Sequence, residues 1–212
     1  MNNKEGNQLT IVGIGASAGG LDAIQQLFDS LPDSSGLAFV ITQHLSLDFK
    51  SMMPELLAKH TGMNIYTAID GQVIERNCIY LNQSSKNLIV RDGALHLVDK
   101  GARSNLNLPV DIFFHSLGEH YKENSIGVIL SGTGSDGSRG IVTIKEAGGT
   151  TFVQEPRSAQ FDGMPNSSIA TNQIDFVLNP HEIGNKIVDV TSKSVDLTDA
   201  FTEKNLTKKT FT

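Results

Sequence analysis

The chain has a single cysteine, Cys78, and no tryptophan. One thiol excludes an internal disulfide, so any fold must be held by its own core. No apolar run approaches the roughly 20 residues that cross a bilayer. The opening residues, Met1 to Gln8, are polar and lack the apolar centre of a secretory signal. These absences point to a cytoplasmic protein without direct membrane insertion. A basic excess is missing too, because 17 Lys and Arg against 23 Asp and Glu leave a formal charge of -6. A duplex phosphate backbone calls for a basic face, so no nucleic acid partner is expected. None of His60, His96, His115, His120 and His181 stands at metal-ligand spacing from Cys78 or from another histidine, so no metal is expected.

What is present is an ordinary globular composition, 39% hydrophobic and 19% charged over 212 residues, enough for one domain with a sizeable core. The run Leu9 to Gly15 is short, β-branched and closed by glycine, the signature of a strand buried on both faces. A helical pattern through Leu21, Ile24, Leu27 and Leu31 ends at Pro32, and a second buried strand runs from Leu37 to Gln43. Strand, helix and strand at this spacing form a βαβ unit.

A helix is expected from Met52 to His60, with Gly62 beyond it. From Val73 to Val98 the apolar positions alternate, with Asp92-Gly93 as a turn, so this stretch predicts antiparallel hairpins at the sheet edge. Lys100 to Leu108 is polar and small. Alternation then resumes with a helix from Pro109 to Tyr121, a strand from Ile126 to Leu130, a helix from about Ser138 to Ala147 and a strand from Thr151 to Gln154. A short helix near Ser167, a strand from Asp175 to Leu178 and a last helix after Pro180 follow. Beyond about Val190 the pattern dissolves into Thr, Ser, Lys and Asp. The fold class is α/β, a doubly wound and mostly parallel Rossmann-like sheet with an antiparallel hairpin decoration. The boundaries expected are a polar arm over 1–8, one domain over 9–190 and a polar tail or linker over 191–212.

Chemistry concentrates where the first strand turns into the first helix, at Gly13-Ile14-Gly15-Ala16-Ser17-Ala18-Gly19-Gly20. Gly13, Gly15 and Ala18 satisfy a dinucleotide fingerprint, and Gly15, Ser17 and Gly19 satisfy a nucleophile elbow. Both exploit the unpaired N–H groups at a helix N-terminus, which hold a phosphate or an oxyanion. The second strand separates them. A dinucleotide site usually ends that strand with an acid for the ribose, whereas here it ends Thr42-Gln43-His44. A serine hydroxyl needs such a base to become nucleophilic. The strand to Leu130 then runs into Ser131-Gly132-Thr133-Gly134-Ser135-Asp136-Gly137, a tight loop whose one carboxylate suits the orienting role beside a histidine. Alone, Ser17 is equally a helix cap and Asp136 a turn residue. The three converge because neighbouring parallel strands open on one crevice. The order Ser17, His44, Asp136 also departs from the Ser, acid, His order of common α/β-hydrolases.

The blocks Gly15 to Gly20, Gln43-His44-Leu45 and Ser131 to Gly137 resemble those of the CheB-type protein-glutamate methylesterase catalytic domain. Ile144 to Gly149, Thr151 to Gln154 and Phe161-Asp162-Gly163-Met164-Pro165 agree with it, and the resemblance spans about Leu9 to Val190. It implies hydrolysis of glutamate γ-methyl esters on methylated chemotaxis receptors, with release of methanol and, in some members, deamidation of glutamine. It implies Ser17 as nucleophile, His44 as general base and then acid, and Asp136 as orienting carboxylate, with no cofactor. It implies oxyanion positions near Ala18 or Thr133, where the family often carries threonine and methionine. Met164 is expected in the ester pocket. No receiver-like segment precedes the first strand, and Ser116-Leu117-Gly118-Glu119 looks like the branch fused to a methyltransferase domain, with the tail after Val190 as the start of such a junction. A nucleotide-binding module and a catalytically silent receptor-binding domain stay open as other readings.

Overall fold

The computed structural model describes residues 9–43, 52–100 and 107–192. Strand β1 (Ile11–Ala16), helix α1 (Gly20–Asp29) and strand β2 (Ala38–Gln43) open the chain. A short helix α2 (Met53–Leu57) and strand β3 (Asn64–Thr67) follow. Next come β4 (Gln72–Val73), β5 (Cys78–Leu81) and the hairpin of β6 (Lys86–Arg91) and β7 (Ala94–Asp99). The second half alternates through helix α3 (Pro109–Tyr121), strand β8 (Ser125–Ile129), helix α4 (Ser138–Glu146) and strand β9 (Thr150–Gln154). Helix α5 (Gly163–Ile169) and strand β10 (Phe176–Leu178) lead to a last helix, α6, over residues 180–192.

Seven strands form one parallel sheet in the order β10-β9-β8-β1-β2-β5-β3, and three form a separate antiparallel sheet, β4-β7-β6. This is the doubly wound architecture that the sequence predicts. Every residue of β1, β2 and β8 is buried, as strands covered on both faces must be. On one face, Ile24, Leu27 and Phe28 of α1, Leu57 of α2 and Ile183 and Ile187 of α6 pack on alternate strand residues such as Val12, Ile14 and Phe39. On the other, Phe113, Phe114 and Leu117 of α3 and Ile144 of α4 join Leu88 and Val90 of the small sheet over Val40 and Tyr80. The winding reverses at β1, which has β2 on one side and β8 on the other. The loops leaving these three carboxyl ends therefore meet at one edge, where open α/β sheets place their ligand crevice.

The alternating stretch divides differently from expectation. Ile79, Tyr80 and Leu81 are not in a hairpin; with Cys78 they form β5, fully buried and parallel to both β2 and β3. A four-residue apolar run is short enough to pass for part of an alternating series, and only burial on both faces separates the two. Strand β3 lies at the exposed edge of the sheet, where only Ile65 and Tyr66 interrupt its polar residues. Helix α2 is shorter than the Met52–His60 pattern, and α6 runs past Val190, to residue 192.

Candidate active site

Ser17 is the first residue beyond β1, and α1 begins at Gly20, so the chain reverses direction within three residues. The Ser17 N–H donates to Ser131 O at 3.0 Å and Gly20 N–H to Ser17 O at 3.0 Å. Gly19, the residue capping α1, sits at φ 70°, a region that side chains disfavour. A Cβ there would also lie 2.7 Å from the Gln160 side chain and 2.8 Å from Ser131 Oγ. Gly13 and Gly15 serve a different end. A Cβ on Gly13 would lie 2.9 Å from Leu117 Cδ2, and one on Gly15 2.3 Å from Val110 Cγ1. The first two glycines of the fingerprint thus let α3 lie directly against β1.

Asp136 lies in the loop between β8 and α4, and its carboxylate reaches the N-terminus of α3. Its two oxygens accept from Val110 N–H at 3.1 Å and Asp111 N–H at 2.9 Å. Those donors have no partner within a helix whose first residue is Pro109, and the capping position, Leu108, offers no side-chain bond. The arrangement is reciprocal. Asp111, 5% exposed, uses Oδ1 to accept from Arg139 N–H at 3.0 Å and Gly140 N–H at 2.8 Å at the start of α4. Each helix is therefore capped by a carboxylate from beside the start of the other.

Ser17 and Asp136 share a cavity of about 310 Å³, with Thr133, Ser135, Asn107 and Met164 among its walls. On the other side of Ser17 lies a shallower depression of about 640 Å³, lined by Ala18, Gln25, Gln43, Gln160 and Met53. Met164 is 1% exposed and lines the same cavity as Ser17. A Cβ on Gly132 would meet its Sδ at 2.1 Å and Ser17 Cβ at 2.9 Å. Several main-chain donors here are already used: Ser17 N–H by Ser131 O, Gly132 N–H by Phe161 O at 3.0 Å and Met164 N–H by Gly132 O at 2.8 Å. Among the described residues, the N–H groups of Ala18 and Thr133 donate to no protein acceptor. Around a serine this pattern suits a reaction that develops negative charge on a carbonyl oxygen.

The structure thus brings together Ser17, Ala18, Thr133, Asp136 and Met164. His44 lies outside the described residues, as does most of the polar stretch from Lys100 and of the tail. Its preceding neighbour, Gln43, pairs in register with Ala16. Sequence reasoning passed over Ser131, Gln154 and Gln160. Ser131 is 1% and Gln154 2% exposed, polar residues just beyond β8 and at the end of β9, and that position was the available signal. Among the described residues no group of three or more His, Cys, Asp or Glu is placed to hold a metal ion, and no helix is long and apolar enough to cross a membrane.

One sequence family, described as CheB methylesterase, matches residues 12–187. A Leptospira interrogans protein is 30% identical over 184 residues, which make up 86% of this chain and 95% of that one. A Xanthomonas campestris pv. campestris relative, named protein-glutamate methylesterase/protein-glutamine glutaminase 1, is 32% identical over 188 residues, 87% of this chain and 52% of its own length. Among solved structures, the Thermotoga maritima CheB methylesterase catalytic domain superposes with a TM-score of 0.80 at 28% identity, covering 87% of this chain and 100% of that one.

Proposed function

The chain belongs to the CheB methylesterase family, and on that premise we propose that it hydrolyses glutamate γ-methyl esters on chemoreceptor-type proteins through Ser17, His44 and Asp136. Ser17 Oγ attacks the ester carbonyl while His44 takes the hydroxyl proton, and Asp136 orients the imidazole and supports its protonated form. The tetrahedral oxygen is received by the N–H groups of Ala18 and Thr133. His44 returns its proton to the departing methoxide, so methanol leaves and a glutamyl-Ser17 ester remains. Water, deprotonated by His44, cleaves that ester to the free glutamate carboxylate and regenerates the serine. The same acyl route with a carboxamide releases ammonia and accounts for the glutaminase named in the Xanthomonas relative.

The observation that carries this reading is the shared cavity, with Ser17 and Asp136 on its walls and, beside the serine, two N–H donors that no acceptor among the described residues engages. Both Asp136 oxygens accept from the start of α3, and because a carboxylate oxygen has two lone pairs, the same carboxylate can also serve an imidazole N–H. His44 follows directly on Gln43, whose register partner Ala16 precedes Ser17, which supports its part as the base. The catalytic unit spans 9–190, flanked by 1–8 and 191–212, and acts in the cytoplasm beside a fused or partner methyltransferase that supplies its substrate. The test offers methylated receptor to wild-type and Ser17→Ala protein and measures methanol. Wild type releases it, and Ser17→Ala is slower by at least about a thousandfold. Equal release overturns the assignment.

A further inference from the structure

Ser131 lies two residues beyond β8 and faces the loop that carries Ser17. We infer that Ser131 is a positioning residue which holds the Ser17–Ala18 peptide so that the Ala18 N–H stands unpaired and correctly aimed before substrate arrives. This rests on the reading of Ser17 as nucleophile.

The geometry is a clamp on three successive peptides. Ser131 O accepts from Ser17 N–H at 3.0 Å and fixes the peptide before Ser17. Ser131 Oγ donates to Ala18 O at 2.9 Å and fixes the peptide after Ala18. The peptide between them has its carbonyl, Ser17 O, held by Gly20 N–H at 3.0 Å. In a trans peptide the N–H points opposite to the carbonyl, so the Ala18 N–H is turned away from Gly20. Among the described residues it has no hydrogen-bond acceptor. A flip of that peptide would break the Gly20 bond, and the two planes from which it is hung are both tied to Ser131.

Ser131 is itself immobilised. Its N–H donates to Gln154 Oε1 at 2.8 Å, and its Oγ accepts from Phe161 N–H at 3.0 Å. The hydroxyl has one hydrogen and two acceptors in range, Ala18 O at 2.9 Å and Phe161 O at 3.3 Å. Phe161 O already receives Gly132 N–H at 3.0 Å, so the nearer Ala18 carbonyl takes it. The position needs a group that donates and accepts at once in a site 1% exposed, and a hydroxyl does both. Alanine does neither, a thiol does both feebly, and threonine keeps the function.

The experiment compares wild type, Ser131→Ala, Ser131→Cys and Ser131→Thr. It measures steady-state methanol release from methylated receptor per folded protein, and inhibition by an alkylboronic acid, which forms a tetrahedral anion on a nucleophilic serine. Ser131→Ala and Ser131→Cys are expected to lower kcat at least about tenfold with KM nearly unchanged, and to weaken boronate inhibition by a similar factor. Ser131→Thr recovers most of both. Should Ser131→Ala not fold, the cysteine variant carries the comparison. Wild-type kcat and boronate inhibition in the folded variants overturn the inference, as does a loss confined to KM. Wild-type protein that releases no methanol overturns the esterase reading itself, a result distinct from active wild type with unimpaired variants.

Discussion

Asp136 does two jobs with one carboxylate. It lines the cavity beside Ser17 and also accepts from the Val110 and Asp111 N–H groups. A carboxylate presents only acceptors, whereas the carboxamide of Asp136→Asn must turn an NH₂ toward one of those donors. The substitution is therefore expected to cost about 1–2 kcal/mol of stability through the orphaned N–H. It should also lower methanol release by up to about ten-thousandfold through the misoriented base. Chemical denaturation and a rate assay on the same preparation separate the two effects. Unchanged stability would show that α3 does not depend on this cap. In the sequence, Asp136 stands out as the loop's one carboxylate, but its duty to α3 does not, because its acceptors' partners lie some 25 positions away.

At the scale of elements, α3 and α4 form a pair whose starts cap each other and whose sides touch through glycine. A Cβ on Gly140 would lie 3.0 Å from Asp111 O, and one on Gly118 3.0 Å from Thr143 O. This close pair fixes the loop carrying Thr133 and Asp136, so its integrity is transmitted to the site. Asp111→Ala removes the acceptor for Arg139 and Gly140 N–H in a largely buried position. A loss of about 1–2 kcal/mol is expected, with faster amide exchange concentrated at Arg139 and Gly140. Uniform exchange, unchanged at these two amides, would contradict the capping account. The helices themselves were plain from their apolar spacing and from Pro109 as a starting residue. The mutual capping was not, since a lone Asp in a first helical turn reads as a favourable charge at the positive helix end.

For the whole molecule, β10 forms one edge of the sheet beside β9, and Asp175 ties that edge to α4. Burial pushes the Asp175 carboxyl upward, but the Lys145 ion pair and the bonds from Thr151 N–H and hydroxyl outweigh it, leaving the pKa below the ordinary 3.8. A depressed folded pKa means that the stabilisation is present above the unfolded value and is lost as pH falls through the folded one. Asp175→Asn should thus be less stable than wild type at neutral pH, by about 1–2 kcal/mol. The two proteins should converge once acid protonates the carboxyl. Urea denaturation at neutral and strongly acidic pH checks the sign, and a gap that persists in acid would contradict it.

By itself the sequence determined the layered α/β class, the order of most elements and the sharp turn at Ser17. Buried parallel strands and amphipathic helices have periods set by local geometry, and a sharp glycine turn around a serine is a local event. Tertiary structure alone decided that Cys78–Leu81 is a core strand, that Asn64–Thr67 is an edge, and that Gly13 and Gly15 make room for α3 and not for a phosphate. It alone brought the Ser131 hydroxyl to the Ala18 carbonyl across 113 positions of sequence. Strand neighbours, close approaches and buried hydroxyl partners depend on which distant segments share a face, and no short window of sequence carries that information.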